Sequence, residues 1–131
     1  MHPVLVDTSV FIDFFKTKRA HHPLADIILE NRVVLSSVVR LELIQGVRKN
    51  EVDRIRRVLD GVTVLNLSSE CDDMAESILM DVKGKGLTLG VSDLLLAAQS
   101  MVYEVSIFSL DSVFSSLHRL KWVHSIYKPN H

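Results

Sequence analysis

The sequence predicts an α/β fold in which helices cover both faces of a central parallel sheet. Short, continuous apolar runs alternate along the chain with longer segments whose apolar residues recur at helical spacing. Continuous apolar runs are typical of strands that are buried on both faces, and alternation of strands with helices is typical of a parallel sheet. The 131 residues, of which 47% are hydrophobic, predict a single domain over residues 1–131.

The first third of the chain contains two predicted strands and two predicted helices. A strand at Val4–Val6 is followed by residues 7–9, which supply N-cap chemistry for a helix over residues 10–15. Pro23 suits the first turn of the next helix, because the N–H that proline lacks has no helical partner there. A second apolar run at residues 33–35 predicts the second strand.

The middle of the chain continues the same alternation. Residues 36–37 are two serines that can cap a helix running to about Gly46. A further helix is predicted over residues 51–59, and Gly61 stops it. The apolar run that follows predicts a third strand at residues 62–67.

The last part of the chain supplies the remaining helices and strands. Ser69 opens a helix that ends within residues 83–86, where two glycines lie. Ser92 is expected to cap a helix over residues 94–102. The last predicted elements are a strand at residues 105–108, a short helix that begins at Asp111, and an edge strand that begins at residues 122–123.

The net charge of −1 restricts how this protein can bind nucleic acid. Because the overall field is nearly neutral, affinity for phosphates has to come from local basic patches. One candidate patch contains Lys16, Lys18 and Arg19, and the other lies within residues 48–57. Each patch taken alone is more often a solvated helix face than a binding site.

The sequence shows no signal for secretion or membrane insertion. The single cysteine, Cys71, cannot form an internal disulfide, and the N-terminus lacks the pattern of a signal peptide. No apolar run approaches the roughly 18 residues of a membrane span. We therefore expect a cytoplasmic protein without a membrane partner.

Four acidic residues interrupt segments that are otherwise apolar: Asp7, Glu42, Asp93 and Asp111. Asp7 and Asp111 follow predicted strands, and α/β proteins place their functional crevice at that edge of the sheet. Taken singly, Asp7 and Asp111 could be N-caps, and Asp93 could be an acidic residue in the first turn of a helix. Glu42 has no such explanation, because it lies inside an apolar helical stripe.

Taken together, the four carboxylates indicate a metal site. Carboxylates that share a crevice repel one another and raise one another's pKa values unless a cation keeps them ionised. Ligation by oxygen atoms alone suits Mg²⁺ or Mn²⁺ and not Zn²⁺. We therefore expect one of these two ions as the cofactor.

The segments around these four residues resemble the motifs of the PIN domain family, and within it the VapC-type toxins of toxin–antitoxin pairs. The motifs are, in chain order, VLVDTSVFIDFF, SSVVRLELIQGV, VSDLLLAA and FSLDSVF. The resemblance covers the whole chain and implies a PIN-like three-layer α/β/α sandwich with a central parallel sheet. The residues implied as catalytic and metal-binding are Asp7, Glu42, Asp93 and Asp111, with Ser9 and Ser109 in support.

The same resemblance implies an enzyme, namely a Mg²⁺- or Mn²⁺-dependent endoribonuclease that hydrolyses RNA, often tRNA. It further implies a small cognate antitoxin that covers the acidic crevice, and a homodimer as the working form. The sequence departs from the family pattern at two positions. Many relatives carry a second acidic residue at the position of Val113, and many carry Thr at the position of Ser109.

Three other classes of protein fit the sequence less well. The main alternative is a catalytically silent PIN-like module that binds RNA or protein, although such modules typically lose acidic residues. A receiver-like signalling domain needs an acidic pair after its first strand, whereas Asp7 is followed by Thr8 and Ser9. A phosphatase with Asp7 as nucleophile would prefer a second Asp at the position of Ser9.

Overall fold

Five parallel strands form the central sheet, in the order β3-β2-β1-β4-β5. The structure is a computed structural model that describes residues 2–17 and 21–130. The strands and helices given below are those of these residues. The strands are β1 (Val4–Val6), β2 (Val33–Ser36), β3 (Thr63–Leu65), β4 (Ser106–Phe108) and β5 (Ser125–Ile126). The parallel sheet confirms the predicted α/β class.

Seven α-helices in the described residues flank the sheet and complete the α/β/α sandwich. They are α1 (Thr8–Lys16), α2 (Pro23–Leu29), α3 (Ser37–Gly46), α4 (Val52–Leu59), α5 (Ser69–Val82), α6 (Val91–Tyr103) and α7 (Val113–Arg119). A 3₁₀ turn, Lys49–Glu51, leads into α4. None of the helices in the described part of the chain has both the length and the apolar character needed to cross a membrane.

The central strand β1 is enclosed on both faces, and its three residues are at most 1% exposed. This burial explains why its sequence is continuously apolar. β1 and β4 end side by side, because Val6 pairs with Phe108. The N–H of Asp7 extends this pairing by donating to the carbonyl of Phe108 at 2.9 Å. Asp7 and Ser109 therefore leave the sheet at neighbouring points.

The third strand is shorter than the sequence predicted. It covers Thr63–Leu65 and not residues 62–67. The backbone leaves the sheet at Asn66, whose carbonyl accepts hydrogen bonds from the Gln99 amide at 3.2 Å and the Tyr103 hydroxyl at 2.9 Å. Both donors lie on α6, so contacts with a distant helix override the local strand pattern.

The last strand lies further along the chain than predicted, at Ser125–Ile126 and not at residues 122–123. Trp122 has a different role there. Its indole N–H donates to Asp81 on α5 at 2.6 Å, and its backbone N–H donates to the carbonyl of Leu117 at 2.9 Å. The tryptophan therefore closes α7 and ties it to α5.

Three helix starts differ from the prediction, while a fourth agrees. Helix α1 begins at Thr8, two residues before the predicted start. Ser36 caps α3 as expected, because its hydroxyl accepts a backbone N–H from the first turn. The N-cap of α6 is Gly90, so Ser92 lies within the first turn and is not the cap. Helix α7 begins at Val113, two residues after Asp111.

Candidate active site

Asp7 is held at the carboxyl end of β1 by two serine hydroxyls. It is 8% exposed. Its Oδ2 accepts hydrogen bonds from Ser9 Oγ at 2.9 Å and from Ser109 Oγ at 2.7 Å. Although Asp7 occupies the N-cap position of α1, its side chain makes no capping hydrogen bond. The carboxylate is therefore oriented by the two serines, and a capping role does not account for it.

The same two serines also fix the turn that carries Asp111. Ser9 Oγ accepts the N–H of Leu110 at 3.0 Å, and Ser109 Oγ accepts the N–H of Asp111 at 2.9 Å. Each hydroxyl donates its single proton to Asp7 and accepts one backbone N–H, so each is fixed as both a donor and an acceptor. The turn after β4 is thereby fastened to the end of β1.

Glu42 extends from α3 and is held by hydroxyls from two other helices. Thr8 Oγ1 on α1 donates to its Oε1 at 2.8 Å, and Ser92 Oγ on α6 donates to its Oε2 at 3.3 Å. The side chain is half-buried. A carboxylate inside an apolar stripe is tolerated here because both of its oxygen atoms have hydrogen-bond donors.

Asp93 lies in the first turn of α6 and is half-buried. Burial is the largest cause that raises the pKa of Asp93 above its ordinary value, followed by the negative charges of Asp7 and Asp111 and, more weakly, of Glu42. A backbone hydrogen bond at Gly90 acts in the opposite direction. The hydrogen bonds of Ser9 and Ser109 join Asp7 to the turn of Asp111, and those of Thr8 and Ser92 join Glu42 to residues beside Asp7 and Asp93. The four carboxylates therefore lie in one neighbourhood, although they are far apart in the sequence.

Asp111 is exposed and is partly committed to the local backbone. Its Oδ1 accepts the N–H of Val113 at 3.0 Å, so one oxygen atom supports the start of α7, although Ser112 and not Asp111 is the N-cap residue. Val113, at a position that is often acidic in PIN relatives, packs its side chain against the core. Asp111 therefore combines a local structural contact with an electrostatic effect on Asp93.

The donor chemistry of these residues fits a hard divalent cation. All four side chains offer carboxylate oxygen atoms, which suit Mg²⁺ and Mn²⁺. Burial, followed by the negative charges of neighbouring carboxylates, raises the pKa of Asp93, and a bound cation would favour its charged form. Within residues 2–17 and 21–130, no group of three or more His, Cys, Asp or Glu side chains is arranged to hold a metal ion.

Sequence reasoning missed two residues of this cluster, Thr8 and Ser92. Both were assigned to capping, because hydroxyl residues at predicted helix starts usually cap them. The N-cap positions are instead occupied by Asp7 and Gly90, and both hydroxyls donate to Glu42. The sequence feature that could have identified them is their position directly beside Asp7 and Asp93.

A groove begins at Glu42 and runs between α1, α3 and α4. Its cavity volume is about 310 Å³. The apolar residues that line it are Ile12, Phe15, Leu43, Val47 and Ile55, and the basic residues are Lys16, Arg48 and Arg54. The Arg54 guanidinium lies over the Phe15 ring at 5.6 Å from its centroid. The groove thus combines apolar side chains with three cations and with the carboxylates of Glu42 and Glu51.

This groove brings together members of both predicted basic patches. Lys16 comes from the first patch, and Arg48 and Arg54 come from the second. The other two residues of the first patch, Lys18 and Arg19, lie outside the described residues. The structure therefore places cations from distant parts of the sequence along one surface.

Comparisons with known proteins agree with the architecture. FitAcB from Neisseria gonorrhoeae is 19% identical, with 98% of this chain and 99% of that chain covered and a TM-score of 0.74. DNA-bound VapBC from Salmonella typhimurium is 20% identical, with 96% of each chain covered and a TM-score of 0.75. VapC20 from Mycobacterium tuberculosis, described as a sarcin-ricin loop cleaving toxin, is 18% identical, with 95% and 99% covered and a TM-score of 0.62. These likenesses show a shared fold.

Two further comparisons concern sequence. A comparison with curated proteins gives no match. The family model of the PIN domain matches residues 4–120, a span that contains all four acidic residues and all but the last strand. Because this match covers most of the 131 residues, the chain belongs to the PIN domain family.

Proposed function

We propose that this chain is a Mg²⁺- or Mn²⁺-dependent endoribonuclease and the toxin of a toxin–antitoxin pair. The observation that carries the proposal is a set of hydroxyl hydrogen bonds at the carboxyl edge of a PIN-family sheet. Ser9 and Ser109 join Asp7 to the turn of Asp111, and Thr8 and Ser92 join Glu42 to the segments of Asp7 and Asp93. Neighbouring carboxylates repel one another unless a cation neutralises them, and such clusters are typical of functional sites. The VapC-like fold supports the toxin assignment.

The residues that would hold the cation are Asp7, Glu42, Asp93 and Asp111. When bound, the ion supplies Lewis acidity that makes water a nucleophile near neutral pH and stabilises charge on the phosphate. The protein's part is to orient the carboxylates, through serine hydroxyls at Asp7 and through hydroxyls from α1 and α6 at Glu42. No side chain needs to form a covalent bond with the substrate.

RNA binding is proposed for the basic side of the groove. An acidic crevice repels phosphates, so cations close to it are needed to hold the backbone. Lys16, Arg48 and Arg54 are suitably placed, because they line a groove that also includes Glu42. The RNA backbone would then run along these cations with one phosphate at the acidic cluster.

An antitoxin segment is proposed as a competing occupant of the same groove. Its apolar side chains would cover Ile12 and Phe15, and its own cationic side chain would lie among the carboxylates. Structures described as toxin–antitoxin complexes share this fold, including one from Klebsiella pneumoniae that is 20% identical over 83% of this chain and 87% of that chain, with a TM-score of 0.67. Binding there would block both the RNA path and the acidic cluster.

A homodimer is proposed as the working form. Large apolar side chains on several helices and turns remain at least 60% exposed: Leu29, Leu41, Met80, Val91 and Leu110. Pairing with a second copy would remove part of this surface from water. Sedimentation analysis should therefore give a dimer, and a protein that stays monomeric at high concentration would contradict the proposal.

The proposed activity is tested by incubating the purified chain with RNA in Mg²⁺, in Mn²⁺ and in chelator. We expect cleavage in both metals and none in chelator, and sequencing of the new RNA ends should identify the cleavage site. RNA binding without cleavage in any metal would favour the catalytically silent PIN-like module. Induced expression with and without a neighbouring gene tests the toxin and antitoxin assignments separately.

A further inference from the structure

Glu42 is attached to two separate helices by hydroxyl groups. Thr8 on α1 lies 34 positions away in the sequence and donates to Oε1 at 2.8 Å, while Ser92 on α6 lies 50 positions away and donates to Oε2 at 3.3 Å. Each carboxylate oxygen atom therefore has its own donor. A carboxylate at the end of a long side chain otherwise has many rotamers, and donors on both oxygens restrict its plane.

Both hydroxyl donors are sequence neighbours of other carboxylates in the acidic cluster. Thr8 directly follows Asp7, and Ser92 directly precedes Asp93. Each donor is therefore attached to a residue beside another carboxylate of the acidic cluster. The two hydrogen bonds fix Glu42 relative to the backbone segments that carry Asp7 and Asp93.

We propose that Thr8 and Ser92 are positioning residues that hold the Glu42 carboxylate ready for the divalent cation. This inference rests on the proposed function, since it assumes that Glu42 is a ligand. Hydroxyl donors that orient a metal-binding carboxylate influence metal affinity without touching the ion. Thr8 has the larger effect, because its hydrogen bond is 0.5 Å shorter than that of Ser92 (3.3 − 2.8).

The proposal is tested by measuring Mn²⁺ binding calorimetrically, together with thermal melts in chelator. Thr8→Val keeps the shape of the side chain and removes the hydroxyl, and we expect it to weaken Mn²⁺ binding about 10-fold. Thr8→Ser keeps the hydroxyl and should restore binding close to that of wild type. Ser92→Ala should weaken binding less than Thr8→Val does.

A matched control removes a hydroxyl outside the acidic cluster. Ser77 on α5 is exposed, and its hydroxyl donates to the carbonyl of Asp73 in the same helix at 3.1 Å. Ser77→Ala should leave the Mn²⁺ dissociation constant unchanged. A merely structural role for Thr8 would give a different pattern, in which Thr8→Val lowers the melting temperature in chelator but binds Mn²⁺ as wild type does.

Glu42→Gln separates this inference from the proposed function. If Glu42→Gln weakens Mn²⁺ binding and Thr8→Val does not, the positioning role is wrong while the metal site stands. If Glu42→Gln leaves Mn²⁺ binding unchanged, Glu42 is no ligand and the proposed site itself is wrong. If Thr8→Val does not fold, Ser92→Ala decides, because wild-type affinity in that variant would overturn the proposal.

Discussion

At the scale of single residues, the acidic cluster is distinguished by how differently its carboxylates are held. Asp7 is nearly enclosed and accepts two serine hydroxyls, Glu42 accepts one hydroxyl from each of two helices, and Asp111 is exposed. Asp93 is the residue on which the charges of the others act, and its pKa is raised. Asp93 is therefore the most informative position to change.

Asp93→Asn should make the metal-free protein as stable as wild type or more stable, because burial and the neighbouring carboxylates penalise the charged side chain. It should also abolish RNA cleavage. Mn²⁺ at one hundred times its dissociation constant should stabilise wild type by about 2.7 kcal/mol and the variant much less. Thermal melts in chelator and in Mn²⁺, beside an RNA cleavage assay, measure all three effects.

A helix-dipole role for Asp93 predicts a different result. Asp93→Asn would then cost about 0.3 to 1 kcal/mol of stability whether or not metal is present. An active variant with an unchanged response to Mn²⁺ would rule out the proposed carboxylate site.

Two aspartates should give opposite pH dependences of stability in the metal-free protein. The raised pKa of Asp93 means that the folded state is stabilised by the proton and loses stability as pH rises from 3.8 through the folded pKa. The hydrogen bonds from Trp122 and Lys85 lower the pKa of Asp81, so its contribution is present above 3.8 and is lost as pH falls through the folded pKa.

Denaturant titrations from pH 3 to pH 7 test this contrast with matched variants. Relative to wild type, Asp93→Asn should gain stability as pH rises, whereas Asp81→Asn should lose stability over the same change. Parallel curves for the two variants would contradict the opposite pKa shifts.

At the scale of elements, the starting points of two helices determine the directions of the Thr8 and Ser92 hydroxyls. Helix α1 begins directly after Asp7, and α6 begins directly after Gly90. In both helices a hydroxyl residue therefore enters the first turn, where its side chain can reach a neighbouring helix. The same starts set Asp7 at the end of β1 and Asp93 in the first turn of α6.

The opposite end of α6 offers a test of backbone strain. Its C-cap, Glu104, is exposed and has φ 55° and ψ 50°, a left-handed conformation that favours glycine. Glu104→Gly should therefore stabilise the protein by about 1 kcal/mol. Glu104→Ala is the control and should not, because alanine also has a Cβ. Urea unfolding of the three proteins measures the difference, and equal midpoints for the glycine and alanine variants would contradict the strain.

At the scale of the whole molecule, the net charge of −1 offers no general attraction for RNA. The proposed RNA binding must therefore depend on where the cations lie. Lys16, Arg48 and Arg54 come from separate elements and meet along the groove that begins at Glu42. Arg56 and Arg57 lie in the last turn of α4, are exposed, and are not among the residues lining that groove.

This arrangement allows a matched comparison of two arginine pairs. Replacing Arg48 and Arg54 with Gln should weaken RNA binding and reduce the slope of log K against log salt by about 0.7 for each phosphate that is left without its cation. Replacing Arg56 and Arg57 with Gln removes the same charge and should leave that slope almost unchanged. Binding titrations at several salt concentrations give both slopes, and equal changes in the two variants would mean that the groove has no special role.

Much of the fold could be predicted from local patterns. The buried central strand β1 has a continuous apolar sequence, and Pro23 and Ser36 lie at helix starts as expected. The end of β3 and the position of β5 were wrong, because contacts of Asn66 with α6 and of Trp122 with α5 determine them. Such contacts join residues more than 30 positions apart, and local periodicity carries no information about them.

The α/β class, the family and the four acidic positions can be predicted from the sequence alone, because buried strands and short motifs are each contiguous in the chain. The role of those four residues as metal ligands stays a prediction. The folded chain is needed to see that Thr8 and Ser92 donate to Glu42 and that Ser9 and Ser109 join Asp7 to the turn of Asp111. These relations arise when β1, α3 and α6 pack side by side, and packing brings together groups whose separation in the sequence reveals nothing about their distance in space.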